Sequence, residues 1–67
     1  MKYDVEKLAK AIKTYEQAER DEEYGYDNCM DDYIFAAYDG FKEANEIFHS
    51  MNLDYNKATE IVSSSYI

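Results

Sequence analysis

Residues 30–51 read MDDYIFAAYDGFKEANEIFHSM. Met30, Ile34, Ala37, Phe41, Ala44, Phe48 and Met51 recur at alternating intervals of four and three. At 100° per residue they make one narrow stripe on a helix. Tyr33, Ala36, Gly40 and Ile47 run along one flank of it, and the small Ala36 and Gly40 would admit another helix at close range. The opposite side carries Asp32, Asp39, Glu43, Glu46 and His49, with Phe35 out of place among them. Such a helix needs a partner for its stripe.

Upstream, Val5, Leu8, Ile12 and Tyr15 form a shorter stripe with Ala9, Ala11 and Ala18 beside it. Continued past Tyr15, that line meets Glu19 and Glu22, so the seam is expected to stop about two turns before the helix does. Downstream, Ala58, Ile61 and Val62, with Tyr66 beyond them, give a weaker face. Two breaks separate the helices. In Tyr24-Gly25-Tyr26-Asp27-Asn28, Gly25 is expected to close the first helix in the left-handed conformation and Asp27 or Asn28 to cap the second. In Asn52-Leu53-Asp54, Asp54 is the expected N-cap, with Leu53 stapled against Ala58. The spacing predicts helices over 3–23, 28–51 and 54–65. The fold class is all-α: residues 1–67 form a single acidic helical domain, a small three-helix bundle. Its two longer helices make an antiparallel hairpin, and the short C-terminal helix folds onto the free flank.

Composition narrows the function. The 67 residues include 15 Asp+Glu against 7 Lys+Arg, a net charge of −8. A surface that negative repels nucleic acid and anionic lipid. No run of about 18 apolar residues occurs, so no membrane span is expected. The first residues, MKYDVEKLAK, carry charges where a signal peptide needs its apolar stretch. Cys29 is alone, so no internal disulfide is available and a cytoplasmic location is expected. With 46% apolar and 16% aromatic residues the chain is too rich for a disordered acidic tail. A chain this short buries only about 60% of its unfolded surface, so a homodimer sharing more apolar area is a further expectation.

The charge is unevenly placed. Residues 1–13 hold Lys2, Lys7, Lys10 and Lys13 against Asp4 and Glu6, a net of +2. Residues 14–39 hold nine acids (Glu16, Glu19, Asp21, Glu22, Glu23, Asp27, Asp31, Asp32 and Asp39) and one base, Arg20, a net of −8. Residues 40–67 hold four acids and two lysines. Folding the hairpin sets the lysine-rich start beside Glu43 and Glu46, and gathers the other acids at the turn. Acids late in the first helix oppose its dipole, each at about 0.3–1 kcal/mol in low salt. Local conflicts of that kind are expected where function resides.

Catalysis and cofactors find little support. The one His and the one Cys would lie about 30 Å apart on the second helix, too far for nucleophile and base. No glycine-rich phosphate loop or nucleophile elbow occurs. The run from Asp27 to Asp32 lacks the glycine and the closing glutamate of a calcium loop. Glu46 and His49 form one Glu-x-x-His unit where di-iron bundles use two, and it points away from the stripe. Neither metal nor cofactor is expected. His49 reads as a favourable charge near a helix C-terminus, and Cys29 as a half-buried small side chain.

The size, the acidic pole from Glu16 to Asp39 and the interleaved Tyr15, Tyr24, Tyr26, Tyr33 and Tyr38 are similar in type to a class of small acidic proteins. These are encoded by bacteriophages and block host defence enzymes; they include anti-CRISPR and anti-restriction proteins that mimic DNA. The resemblance implies a non-enzymatic inhibitor and a basic, nucleic-acid-binding partner such as a CRISPR effector, restriction enzyme or nuclease. The expected contact residues are Glu16, Glu19, Asp21, Glu22, Glu23, Asp27, Asp31, Asp32 and Asp39 in place of phosphates, with Tyr24, Tyr26 and Phe35 adding apolar contact. Two alternatives stay open. One is a homodimeric regulatory module whose seam is the stripe from Met30 to Met51. The other is an antitoxin-like binder of a basic protein.

Overall fold

A computed structural model describes residues 3–65. The chain forms α1 (Val5–Asp27), α2 (Asp31–Ser50) and α3 (Tyr55–Ser65). The helices α1 and α2 pack along each other as an antiparallel hairpin, and α3 lies mainly against α1. The molecule measures 43 × 23 × 15 Å, a rod with a thick base and a thin tip. Among the described residues no helix is long and apolar enough to cross a membrane.

The starts of α1 and α3 and the ends of α1 and α2 each have a local cause. At the start of α1 the Asp4 carboxylate accepts from the Lys7 N–H at 3.0 Å, an N-cap that moves the start from residue 3 to Val5. Asp54 caps α3 as expected, accepting from the Lys57 N–H at 2.8 Å. Both α1 and α2 end in the same six-to-one closure, with a left-handed residue just past the helix. Met30 N–H donates to the Gly25 carbonyl at 2.8 Å across Cys29 (φ 54°). Leu53 N–H donates to the Phe48 carbonyl at 2.8 Å across Asn52 (φ 57°). Leu53 and Phe48 share the core, the apolar contact that accompanies this motif.

The first turn therefore differs from the sequence reading. Helix α1 runs on to Asp27, and Gly25 is helical and buried. A Cβ at Gly25 would stand 2.7 Å from Ile34 Cγ1 and 3.0 Å from the Ile34 backbone nitrogen. Glycine is needed there for close approach, not for handedness. The left-handed residue is Cys29, which is exposed and not half-buried. Neither Asp27 nor Asn28 caps α2: Met30 stands at that N-cap with no side-chain bond. Asn28 instead closes α1, its Nδ2 donating to the Tyr24 carbonyl at 2.9 Å.

The core divides the rod in two. Leu8, Ala11, Ile12, Ala44, Phe48, Leu53 and Ala58 form one buried cluster at the base, with Tyr15, Tyr55, Ile61 and Val62 packed on it. Phe48 and Leu8 are the largest fully buried side chains, and each stabilises the fold by roughly 1.5–3 kcal/mol. Toward the tip the seam of α1 does not stop at Tyr15; it continues in the small residues Ala18 and Gly25. Gly40 lies so close that a Cβ there would be 3.0 Å from the Ala18 Cβ, so the helices touch nearly backbone to backbone. Ala36, expected at the same crossing, is exposed. Of the α2 stripe, Ala37, Ala44 and Phe48 are buried within the chain, Ile34, Phe41 and Met51 are half-buried, and Met30 at the tip is exposed. Tyr66, expected at the end of the α3 face, and Lys2 lie outside the described residues.

Candidate interaction surface at the hairpin tip

The helix ends fix where the acids stand. Glu16 is about 17 Å from the turn along α1, and Asp39 about 12 Å along α2. All nine acids from Glu16 to Asp39 thus occupy the tip half of the rod. They ring it without sharing a face. At 100° per residue, Glu16, Glu19 and Glu23 follow one line of α1, while Asp21 falls on the other flank beside Gln17 and Tyr24. Asp32 and Asp39, seven residues apart, point outward from α2 with Phe35 between them.

Their environments differ. Glu19, Glu23, Asp27, Asp31, Asp32 and Asp39 are exposed; Glu16, Asp21 and Glu22 are half-buried. Glu16 belongs to the fold, because the Tyr55 hydroxyl donates to its Oε2 at 2.8 Å. Asp21 accepts from Gln17 Nε2 at 2.9 Å, and Gln17 Oε1 accepts from Arg20 Nη2 at 2.9 Å. The only base of the tip is therefore turned toward the flank that holds Asp21. Among the described residues the one ion pair is Lys57–Glu60, on α3. The lysines early in α1 form none with Glu43 or Glu46, and no acid of the tip is paired with a cation. Glu46 and His49 are both exposed, and no group of three metal-ligating side chains occurs among the described residues.

Aromatic side chains share this end. Among the described residues six large apolar or aromatic side chains are exposed, Tyr24, Tyr26, Met30, Tyr33, Phe35 and Tyr38, and all fall between 24 and 38. Phe35 is the barest at 63% and Tyr26 follows at 57%. The thin tip causes this: helices joined through Ala18, Gly25 and Gly40 leave no interior for a ring. Tyrosines instead bridge the helices on the surface, one pair on each flank. Tyr24 and Tyr33 lie ring to ring at 4.7 Å. Tyr26 and Tyr38 share a hydroxyl–hydroxyl hydrogen bond of 2.7 Å. That bond leads in raising the Tyr26 pKa above its ordinary value; repulsion from Tyr38, partial burial and the Glu22 carboxylate add to it. Tyr15 plays another part, stacked on Tyr55 at 4.3 Å and edge-on to Phe41 at 4.9 Å within the base.

Of the aromatic contact residues expected from sequence, Tyr24, Tyr26 and Phe35 are on the surface of the tip. Tyr33, Tyr38 and Met30 were not among them and are there too. Their signal was the turn itself. Once α1 is carried to Asp27, Tyr24 and Tyr26 become helical and face Tyr33 and Tyr38. On the Tyr24 flank a shallow groove of about 660 Å³ runs along the helix crossing, with Ala18, Ala36 and Gly40 on its floor and Lys13, Gln17 and Arg20 on its walls. No protein-family model, curated protein or solved structure matches this chain, so the geometry of the tip stands by itself.

Proposed function

We propose that this protein is a non-enzymatic inhibitor whose acidic tip takes the place of nucleic-acid phosphates in the groove of a basic partner. The partner is a host-defence effector or nuclease in the cytoplasm, so the action is of the anti-CRISPR or anti-restriction type. One observation carries the reading: on the same thin tip, six large apolar or aromatic side chains lie exposed among carboxylates that no cation of the described chain neutralises. Either feature alone has an ordinary explanation, solubility for the acids and packing for the rings. Together they make a surface with the charge to attract a cationic groove and the apolar area to hold it. Carboxylates three or four residues apart rise about 4.5–6 Å along a helix, against one phosphate per about 3.4 Å of duplex axis on each DNA strand. Acids on two adjacent helices bring the densities closer.

The test is capture of a partner from host lysate, followed by competition with duplex DNA or guide RNA. Competition is expected, together with a steep loss of affinity as salt rises. Reversing Glu19, Glu22 and Asp31 to Lys should abolish capture with helical content unchanged by circular dichroism. Capture that persists through the triple reversal, or a partner that holds nucleic acid and this protein at once, would defeat the proposal.

A further inference from the structure

The two flanks of the tip are not equivalent. On the flank bearing Tyr24 and Tyr33, the acid Asp21 is engaged by Gln17, Gln17 is engaged by Arg20, and Lys13 and Arg20 stand over the groove. Acids and bases are mixed along this groove, Glu16 and Asp21 with Lys13 and Arg20, though none of them forms an ion pair among the described residues. On the flank bearing Tyr26 and Tyr38, helical phase gathers Glu19, Glu22 and Glu23 with Tyr26, and α1 contributes no base there. The nearest cation of α2 is Lys42, one turn below Tyr38 toward the base. This flank is also the side where the third helix stops. Tyr55, the first residue of α3, reaches Glu16 and stacks on Tyr15. Between Glu16 and the turn, Glu19, Glu23, Tyr26 and Tyr38 on this flank are exposed and Glu22 is half-buried.

We infer that recognition is one-sided: the flank of Glu19, Glu22, Glu23, Tyr26 and Tyr38 receives arginine side chains of the partner, and the flank of Gln17, Asp21, Tyr24 and Tyr33 does not. The inference rests on the inhibitor reading and adds which face is used and which cation it selects. Arginine is favoured over lysine by geometry. A planar guanidinium lies flat on an exposed tyrosine ring while its fork meets a carboxylate in two parallel bonds, whereas an ammonium is a strongly hydrated point charge. Tyr26, more than half exposed and flanked in phase by Glu19, Glu22 and Glu23, presents both elements together. The shared hydroxyl bond with Tyr38 holds the two rings in place across the helices.

The probes are nona-arginine and nona-lysine peptides, titrated into the full-length, nitrogen-15-labelled chain and followed by amide chemical shifts. The largest shifts are expected at Glu19, Glu22, Glu23, Tyr26 and Tyr38, with arginine binding about two- to fivefold tighter than lysine. Tyr26→Ala should erase that preference and Tyr26→Phe should keep it; Tyr38→Ala is a second variant on the same flank. Largest shifts at Gln17, Asp21, Tyr24 and Tyr33, equal shifts on both flanks, or equal affinities for the two peptides would each overturn the inference. Its failure is separable from that of the inhibitor reading. If a DNA-competed partner is captured equally by Glu19→Lys/Glu22→Lys and lost on Asp21→Lys, the inhibitor stands and the face is wrong. If the arginine peptide maps to the expected flank but nucleic acid never competes for the captured partner, the face stands and the inhibitor reading fails.

Discussion

The Tyr55 hydroxyl donates to Glu16 Oε2 at 2.8 Å, joining the start of α3 to the middle of α1 across 39 residues of sequence. The bond marks where the core ends and the tip begins, and it engages Glu16 Oε2 within the fold. Glu16, its burial and the Glu19 carboxylate together raise the Tyr55 pKa to about 12, with the hydrogen bond as the largest cause. Because the folded value lies above the ordinary tyrosine value of 10.0, the fold favours the neutral phenol. The resulting stability is complete below about pH 10 and disappears as pH rises toward 12. Tyr55→Phe keeps the ring on Tyr15 and removes the bond, at a cost of roughly 0.5–1.5 kcal/mol at neutral pH. Urea midpoints measured for both proteins should converge between pH 10 and 12. A gap that stays constant across that window would show that the hydroxyl contributes nothing through its proton.

Gly25 and Gly40 both serve the close approach of α1 and α2, yet their substitution should differ. A methyl at Gly25 meets the backbone nitrogen of Ile34 at 3.0 Å and the Met30 carbonyl oxygen at 3.1 Å, in a turn fixed by its own hydrogen bonds. At Gly40 its tightest neighbour is the Ala18 Cβ at 3.0 Å, between two helices that can part slightly. Alanine is also the better helix former by about 1 kcal/mol. Gly25→Ala is therefore expected to destabilise by about 1–2 kcal/mol net, after overpacking is set against propensity. Gly40→Ala should fall within about 0.5 kcal/mol of neutral by the same reckoning. Thermal unfolding of the two variants side by side checks the order, and a larger loss at Gly40 would contradict it.

The three helices and the base of the core were legible in the sequence because large residues declare their phase. Phe48, Phe41 and Ile34 on one helix, with Leu8 and Ile12 on another, recur at helical spacing. The tip was legible only in its charge. Its seam is made of Ala18, Gly25 and Gly40, which carry almost no hydrophobic signal, so the pattern ended at Tyr15 while the packing went on. Gly25 then drew the turn toward itself, since a glycine before Asp and Asn resembles a helix stop more than a contact between helices. The true stop sits on Cys29, a residue with no preference for the left-handed conformation. That displacement of four residues hid the Tyr24–Tyr33 and Tyr26–Tyr38 bridges. The run of acids from Glu16 to Asp39 is plain in the sequence, but the bonds that tie Asp21 to Gln17 and Gln17 to Arg20 are visible only in the structure.

Cys29 itself gives a direct test of the turn. It holds φ at 54°, where a side chain with a Cβ is disfavoured by about 1–2 kcal/mol. At the corresponding place after α2 the chain uses Asn52, which tolerates that region better. Cys29→Gly should raise stability by about 0.5–1 kcal/mol once the added freedom of the unfolded chain is deducted. Chemical denaturation is the measurement, under reducing conditions so that the exposed thiol forms no dimers. A loss of stability would mean that the turn draws more from the cysteine side chain than its exposure implies.

Asp27 closes α1 with a negative charge at the negative end of the helix dipole, and no base stands in that last turn. Asp27→Lys reverses the conflict and sets Lys four residues after Glu23, the favourable order for a helical ion pair. Stability should rise by about 0.5–1.5 kcal/mol in low salt, and most of the gain should vanish near 1 M salt, where screening is short-ranged. The same substitution removes one of the exposed carboxylates at the tip. If the acids there are kept for a partner, the variant that unfolds later should also bind its DNA-competed partner more weakly, and the two changes should appear together. A variant that gains stability with its binding untouched would reduce Asp27 to a solvated surface charge and confine recognition to the acids further along α1.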